Sequence, residues 1–331
     1  MAQVAVLGAG AWGTAIAGVL AQRHHVALWS HDVAQARALA ATRRNDRYLP
    51  GTVLDASIAV SADFDAAVAH ARHGLIVLAV PTAALRETVR QLRVQAALAP
   101  FVWLCKGFER DSAKLAHEVV RDEIASHPSG PLSGPSFAAE VARGLPTALT
   151  VAGPAEFCRW VTQLFHGGAL RIYSSDDVIG VEVGGAVKNV MAIATGISDS
   201  LALGHNARAA LITRGLAEIA RLGAALGARA ETFMGLAGVG DLILTCTGEL
   251  SRNRQVGVLL GRGVPLATAL ERVGHVAEGV WSAPAVAARA RSLGVEMPLT
   301  AAVCAVLDGR TTPQDALAQL LARDPKRESA A

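Results

Sequence analysis

The sequence predicts an α/β Rossmann-type N-terminal domain with a mostly parallel, doubly wound sheet, followed by an all-α C-terminal domain. Three observations predict this architecture. Short apolar runs typical of buried strands alternate with helical segments from Val4 to Ser174. A Gly-x-Gly-x-x-Gly spacing follows the first of these runs. Beyond Asp177 almost every segment has helical periodicity instead, so we predict domains at residues 1–177 and 178–331.

The composition is that of a soluble enzyme. Of the 331 residues, 52% are hydrophobic and 18% charged, which excludes a disordered chain. The net charge of +3 is too small to indicate a nucleic-acid partner. Four scattered cysteines show neither metal-ligand spacing nor a disulfide framework. No uninterrupted apolar run is long enough to cross a bilayer, so we expect a cytoplasmic location without membrane insertion.

The first glycines predict a dinucleotide-binding loop. They follow the apolar strand Val4–Leu7 and precede an alanine-rich helix over Thr14–Gln22. Gly8 permits the tight turn, Gly10 lets a pyrophosphate approach the backbone, and Gly13 lets the helix pack close to the sheet. The alternative is a glycine-rich turn without a ligand.

The end of the second strand, His25–Trp29, is where a Rossmann fold contacts the adenosine ribose. Here it is followed by Ser30, His31 and Asp32. Without an acid at the tip itself, there is room for a 2′-phosphate; alternatively, Asp32 is only the N-cap of the next helix. The arginines of residues 43–51 have the reach for a phosphate, but a solvated loop is the favoured interpretation.

The alternation then continues to the predicted boundary. We predict strands over Gly74–Val80, Phe101–Cys105, Thr147–Ala152 and Leu170–Ser174, and helices over Pro81–Gln95, Ser112–Ala125 and Pro154–Phe165. Lys106 follows a strand at the sheet edge where ligands bind, so it is a candidate site residue; the alternative is a surface lysine. Gly134 and Pro135 form a turn, and Ser136 is predicted to begin a helix whose free N–H groups suit an anion or serve as an ordinary cap.

Two residues of the helical half are candidates for catalysis. Lys188 is the only charge between Glu182 and Asp199 and lies among glycines and aliphatic residues. A lysine with little access to water has a lowered pKa, which suits a general acid; the alternative is a lysine that extends its ammonium to the surface. Asp241 ends a glycine-rich turn that aims it, either to orient Lys188 or as a helix N-cap.

Hydrogen-bond donors suited to a phosphate dianion are provided by Ser251, Arg252 and Asn253. The alternative is that these residues are a solvated charge run. Glu278 is another isolated acid among small residues. The helical pattern is predicted to break at His205–Arg208 and to resume over Ala209–Leu226.

In this order, the segments resemble bacterial-type NAD(P)-dependent glycerol-3-phosphate dehydrogenase. The similarity spans residues 8–279 and is carried by GAGAWGTA at 8–15, KG at 106–107, SGPSFA at 133–138, GGAVKN at 184–189, ARAALITRG at 207–215, GVGDL at 238–242, SRNR at 251–254 and VAEG at 276–279. The resemblance implies an active site in the cleft between the two domains. It also implies reduction of dihydroxyacetone phosphate to sn-glycerol 3-phosphate for phospholipid synthesis.

The resemblance further implies roles for individual residues. Lys188 is the proton donor, or the acceptor in reverse, with Asp241 beside it. Both belong to the implied substrate site, together with Lys106, Gly134, Ser136, Ser251, Arg252 and Asn253. The implied cofactor site comprises Gly8, Gly10, Ala11, Trp12, Gly13, His31, Lys106, Ala138, Arg252, Val276 and Glu278. At Ala11 the family often has serine or another small residue, so we expect that one side-chain hydrogen bond to the cofactor is missing here. The cofactor is NADP or NAD, with NADPH favoured, and no metal is required.

Two alternatives remain at this level. One is a related two-domain dehydrogenase acting on a hydroxy acid or a sugar nucleotide. The other is a non-catalytic NAD(P)-binding regulator, which would have no use for Lys188 and Asp241 and would need a basic DNA-binding element. The partners we expect are small-molecule substrates, with a homodimer left open as the oligomeric state.

Overall fold

The computed structural model describes residues 1–95, 98–274 and 277–323. The chain divides into two compact units. One comprises Met1–Cys105 and Ala116–Val178, and the other comprises Lys106–Leu115 and the chain from Ile179 onward. The sequence predicted one boundary between residues 177 and 178. It did not predict that residues 106–115, and Lys106 with them, belong to the helical unit.

The first unit is a sheet with helices between its strands. Its strands are β1 (Gln3–Leu7), β2 (His25–Trp29), β3 (Ala59–Ser61), β4 (Leu75–Leu78), β5 (Phe101–Trp103), β6 (Ser129–Ser133), β7 (Thr147–Ala152) and β8 (Leu170–Ser175). Its helices are α1 (Ala11–Ala21), α2 (Val33–Thr42), α3 (Phe64–His70), α4 (Thr82–Arg93), α5 (Ala116–Glu123), α6 (Ala138–Ala142) and α7 (Ala155–Phe165).

The strand order confirms the predicted doubly wound sheet. Within the described residues it is β3-β2-β1-β4-β5-β6-β7-β8, whose first six positions have the order 3-2-1-4-5-6 typical of dinucleotide-binding folds. Pairing is parallel except between β6 and β7. In the central strands, Val4–Leu7 of β1 and all of β4 are buried on both faces, which explains why these residues are apolar without interruption.

Two strands have no counterpart in the sequence prediction. The strand β6 has the sequence Ser-Gly-Pro-Leu-Ser, whose composition is typical of a loop. It is a strand because its neighbours pair with it, and a Cβ at Gly130 would collide with the carbonyl of Ala152. The other, β3, is only three residues long and pairs with β2 at the edge of the sheet.

The second unit is helical. Its helices are α8 (Val178–Ser200), α9 (Gly204–Leu226), α10 (Asp241–Thr247), α11 (Arg252–Gly261), α12 (Leu266–Val273), α13 (Glu278–Ser292), α14 (Pro298–Leu307) and α15 (Pro313–Leu321). A 3-10 turn over Ala230–Met234 and a π turn over Leu236–Gly240 precede α10. The all-α C-terminal domain is thus confirmed for the residues described.

The helix α8 is the core of this unit. Among the described residues it is the one helix long and apolar enough to cross a bilayer, but 83% of its most apolar window is buried inside the protein. Core helices of water-soluble proteins share this character. The sequence did not single it out because Glu182 and Lys188 interrupt its apolar residues.

The predicted break in the helical pattern at His205–Arg208 is wrong. The break lies earlier, between Ser200 and Gly204, where Ala202 has a φ of +55° and Gly204 a φ of +83°. Residues 205–208 form the first turn of α9, and Arg208 is bonded from there to Asp199. Polar residues therefore mark a helix start here and not an interruption.

Glu218 of α9 caps α14 from the inside of the helical unit. This buried carboxylate accepts hydrogen bonds from the backbone N–H groups of Leu299 at 2.6 Å and Thr300 at 3.2 Å, and from the Thr300 hydroxyl at 3.0 Å. Burial raises the pKa of Glu218, while these hydrogen bonds oppose that rise.

We expect Glu218→Ala to lower the free energy of unfolding by about 1–3 kcal/mol, because it leaves buried donors unsatisfied. Glu218→Gln, which keeps one acceptor oxygen, should lose less. Chemical denaturation followed by circular dichroism measures both, with the exposed Glu231→Ala as the matched control. A loss at Glu231 as large as that at Glu218 would contradict the capping role.

Candidate active site

The loop after β1 has the shape of a phosphate cradle. Gly8 has a φ of +123°, and a Cβ there would collide with the carbonyl of Ala79. A Cβ at Gly13 would collide with the carbonyl of Gly8, so these two glycines are required by the fold. Gly10 is different, because a Cβ there would meet nothing within 4 Å. The space in front of Gly10 and the start of α1, which no side chain caps, fit a pyrophosphate.

The residues after β2 show whether Asp32 is the N-cap of the next helix. Asp32 is the N-cap of α2: its Oδ1 accepts hydrogen bonds from the N–H groups of Ala34 at 2.9 Å and Gln35 at 3.1 Å. These bonds are the main cause of its lowered pKa. The Ser30 hydroxyl donates to Gln35 Oε1 at 2.8 Å. The His31 side chain is exposed at the strand tip.

A second loop of this unit carries Gly134, Ser136 and Ala138. Gly134 has a φ of +145°. Ser136 does not begin a helix as predicted, because Phe137 is still extended and α6 begins at Ala138. The Ser136 hydroxyl donates to the carbonyl of Gly134 at 3.0 Å, which shapes the turn instead. Ala11 and Trp12, in the first turn of α1, are half-buried.

In the helical unit, Lys188 lies in a compact polar cluster. Its Nζ donates to Asp241 Oδ1 and, at 2.9 Å, to the hydroxyl of Thr245. The other oxygen of Asp241 accepts from Lys106 Nζ at 2.7 Å. Asp241 is fully buried, Lys188 is 7% exposed, and Lys106 is half-buried. The structure thus brings together the three predicted residues Lys106, Lys188 and Asp241.

The electrostatics of this cluster make Lys188 titrate near neutral pH. Burial, reinforced by the positive charge of Lys106, lowers the pKa of Lys188 to about 7, against the opposing attraction of Asp241. One buried carboxylate faces two lysines, so a protonated Lys188 leaves the cluster with a net positive charge. An amine with this pKa can give up or take a proton at physiological pH.

Close backbone packing holds the cluster in place. A Cβ at Gly184, one turn before Lys188 on α8, would collide with the carbonyl of Ala237. The chain therefore passes tightly against α8 just before Asp241 begins α10, and non-helical Gly238 forms the kink. The glycine-rich turn aims Asp241 as the sequence indicated, and Asp241 also stands at a helix start.

The predicted phosphate donors occupy the start of α11. Ser251 is its N-cap, accepting from the N–H of Arg254, and Arg252 is exposed in the first turn. The negative charge of Glu278 acts on the guanidinium of Arg252.

Asn253 is buried and joins three elements. Its Nδ2 donates to Asn189 Oδ1 at 3.0 Å, and its Oδ1 accepts from the N–H of Gly279 at 2.9 Å. Each of these residues directly follows a predicted site residue: Asn189 follows Lys188, Asn253 follows Arg252, and Gly279 follows Glu278. The network therefore holds the backbone of α8, α11 and α13 together next to all three predicted site residues.

Sequence reasoning missed two members of this site, Thr245 and Asn189. A signal for Thr245 was available, because residues four apart share a helix face and Thr245 follows Asp241 by four. Asn189 was noted only as part of a motif. Val276, predicted to contact the cofactor, lies outside the described residues. Within those residues, no group of three or more His, Cys, Asp or Glu side chains is arranged to hold a metal ion.

Two family models match the chain in succession. The N-terminal model of NAD-dependent glycerol-3-phosphate dehydrogenase matches residues 3–157, and the C-terminal model matches residues 177–318. The chain belongs to this family. The sequence resemblance is thereby confirmed.

Individual relatives agree with the family match. The glycerol-3-phosphate dehydrogenase [NAD(P)+] of Methylibium petroleiphilum is 57% identical over 98% of both chains. That of Dechloromonas aromatica is 56% identical over 99% of this chain and 100% of the relative. The crystal structure of glycerol-3-phosphate dehydrogenase (gpsA) from Coxiella burnetii is 42% identical, with a TM-score of 0.93 over 97% of this chain and 98% of that one.

Proposed function

We propose that this chain catalyses the reversible, NAD(P)H-dependent reduction of dihydroxyacetone phosphate to sn-glycerol 3-phosphate, with Lys188 as the proton donor. The observation that carries the proposal is the buried Lys188–Asp241–Lys106 cluster in a member of the glycerol-3-phosphate dehydrogenase family. A hydroxy-acid or sugar-nucleotide substrate has no comparable support.

The proton step follows from the charges of the cluster. When bound, the nicotinamide cofactor would supply the hydride for the carbonyl carbon, so that negative charge would develop on the carbonyl oxygen. Lys188 Nζ, when protonated, stabilises that charge and donates its proton to the oxygen, which becomes the new hydroxyl. Asp241 holds the ammonium in one orientation, and Thr245 fixes a second of its N–H bonds. Lys106 adds positive charge beside the developing oxyanion.

The phosphate needs several donors that converge on it. Arg252 offers a charged guanidinium fork at the exposed start of α11. Ser251, Asn253, Gly134 and Ser136 remain predicted substrate residues, although the amide of Asn253 is engaged with its neighbours. We expect Asn253 to act mainly by holding Arg252 in place.

The product carries the glycerol phosphate backbone of glycerophospholipids, so we propose that the enzyme supplies phospholipid synthesis in the cytoplasm. The partners in this role are small molecules. A homodimer stays a prediction.

The test is oxidation of NADPH and NADH by the purified protein, with dihydroxyacetone phosphate compared with unphosphorylated dihydroxyacetone. We expect rapid turnover of the phosphorylated ketone and a much poorer rate without the phosphate. Equal rates with both ketones, or turnover of 2-hydroxy acids alone, would overturn the assignment.

The same assay tests cofactor preference. Asp32 is engaged as a helix cap and no acid stands at Ser30 or His31, so we expect NADPH to be used at least as well as NADH. The comparison is between the two values of kcat/KM at saturating dihydroxyacetone phosphate. Strong preference for NADH would contradict this prediction and make Asp32 the ribose ligand.

The pKa of Lys188 predicts opposite pH profiles for the two directions. Reduction needs the protonated amine, so its kcat/KM should fall by about tenfold per pH unit above a pKa of about 7. Oxidation of glycerol 3-phosphate needs the neutral amine, so its kcat/KM should fall below that pKa. Initial rates over pH 5–9 at saturating cofactor measure both profiles. Profiles of the same sign in both directions would remove Lys188 from the proton step.

A further inference from the structure

The loop between α2 and β3 is anchored against the phosphate cradle. The carbonyl of Ala9, between the first two glycines, accepts hydrogen bonds from Gln35 Nε2 at 2.7 Å and Asn45 Nδ2 at 3.0 Å. Asn45 is 2% exposed and also donates to the Thr14 hydroxyl at 2.6 Å. Both the start of α2 and the loop that follows α2 are therefore tied to the same turn of backbone.

This anchoring presents Arg47 at the tip of β2. Asn45 and Leu49 are both buried, and the N–H of Leu49 donates to the carbonyl of Asn45 at 2.8 Å, so the chain makes one tight turn between two fixed points. Arg47 stands in this turn with its side chain 65% exposed. Its guanidinium lies 5.0 Å from the centre of the Tyr48 ring, a contact that limits its rotamers.

Two polar residues at the tip, Ser30 and Asp32, already form hydrogen bonds within the protein. Asp32 Oδ1 caps α2, and the Ser30 hydroxyl bonds Gln35 and accepts from the N–H of Asp32. Arg47 Nη1 lies 3.6 Å from Asp32 Oδ2, which is an ionic contact too long for a hydrogen bond. The donors of the Arg47 fork are therefore not committed to Asp32.

The position of Arg47 at the end of β2 indicates which chemical group its guanidinium binds. The end of the second strand of a Rossmann fold faces the adenosine ribose, where an acid binds the 2′-hydroxyl of NAD and an arginine accommodates the 2′-phosphate of NADP. Here the acid and the arginine are both present and in contact with each other. A phosphate dianion offers the guanidinium a stronger, bidentate partner than a carboxylate at 3.6 Å.

We propose that Arg47 binds the 2′-phosphate of NADP, and that the Arg47–Asp32 pair sets the preference between NADP and NAD. A bound 2′-phosphate takes the Arg47 fork from Asp32, and the remaining Asp32 charge repels the phosphate. Without the 2′-phosphate, Arg47 stays with Asp32. The proposal rests on the NAD(P)-dependent function proposed above and adds the residue that recognises the phosphate.

The test is binding of two cofactor fragments to the unliganded protein, measured by isothermal titration calorimetry. The fragments are 2′,5′-ADP, which carries the 2′-phosphate, and 5′-AMP, which lacks it. Arg47→Ala should weaken 2′,5′-ADP binding by roughly 10- to 100-fold and leave 5′-AMP binding unchanged. Arg47→Lys should retain part of the affinity, because it keeps the charge and loses the fork.

Two further variants complete the experiment. The matched control is Arg44→Ala, since Arg44 lies in the same loop, exposed and paired with Asp46, and should change neither affinity. Asp32→Asn keeps a capping side chain and removes the competing charge, so 2′,5′-ADP should bind more tightly.

Several outcomes would overturn the proposal. They are equal binding of the two fragments by the unmodified protein, equal losses of both in Arg47→Ala, and no gain for 2′,5′-ADP in Asp32→Asn. Because no turnover is required, these outcomes are separate from a failure to reduce dihydroxyacetone phosphate. Retained 5′-AMP binding shows that a variant is folded.

Discussion

Replacing Lys188 with methionine is expected to lower kcat for dihydroxyacetone phosphate reduction by a factor on the order of 10²–10⁴, the usual contribution of a general acid. Methionine is similar in length and apolar, so it fills the buried position without the charge. Asp241 keeps its hydrogen bond from Lys106, which limits the damage to the fold. NADPH binding, measured by fluorescence titration, should therefore stay unchanged while the initial rate falls.

Lys188→Arg separates charge from proton transfer. Arginine keeps a positive charge at neutral pH but does not release its proton, so the variant should stay impaired and lose the pH dependence near 7. The control is Lys114→Met, which should retain normal kcat. It makes the same exchange at a lysine of the segment 106–115, which also contains Lys106. Near-normal kcat in Lys188→Met would assign the proton to another group.

Lys188 could be selected as a candidate from the sequence because the residues around it are small or apolar. Lys188 is the only charge between Glu182 and Asp199, and such an isolated charge has few structural explanations. Asp241 likewise follows an unusual glycine-rich segment. What the sequence could not provide is their meeting with Lys106, which is 135 residues from Asp241 in the chain. Such a contact depends on the excursion of residues 106–115 into the helical unit, and no local pattern encodes it.

The errors in the fold prediction have the same origin. Local composition gave no strand prediction at Ser129–Ser133 and predicted a break at His205–Arg208. Pairing with neighbouring strands makes the first segment a strand, and the second segment opens α9. The tip of β2 was ambiguous for a different reason. Asp32 suits both a cap and a ribose ligand, and only the position of Arg47 at 3.6 Å shows that the two side chains form a pair.

The second large effect is expected at Arg252, in the proposed phosphate site. We expect Arg252→Ala to lower kcat/KM for dihydroxyacetone phosphate by roughly 10- to 200-fold, since a charge-assisted hydrogen bond contributes about 1.5–3 kcal/mol. The rate with unphosphorylated dihydroxyacetone should hardly change, because this ketone has no phosphate to lose. Arg252→Lys should recover only part of the loss, since it keeps the charge without the fork. Arg262→Ala, an exposed arginine at the opposite end of α11, is the matched control and should alter neither rate.

The comparison of the two ketones also separates recognition from support of the fold. Arg252 is exposed and influenced by Glu278, whereas Asn253 beside it is buried and bonded to Asn189 and Gly279. Asn253→Ala should therefore lower the unfolding midpoint as well as kcat/KM, while Arg252→Ala should leave the midpoint unchanged. If both ketones suffered equally in Arg252→Ala, Arg252 would be holding the cofactor or the fold. The phosphate site would then have to be sought at Lys106 or at Ser136, by comparing the same two ketones in alanine variants of each residue.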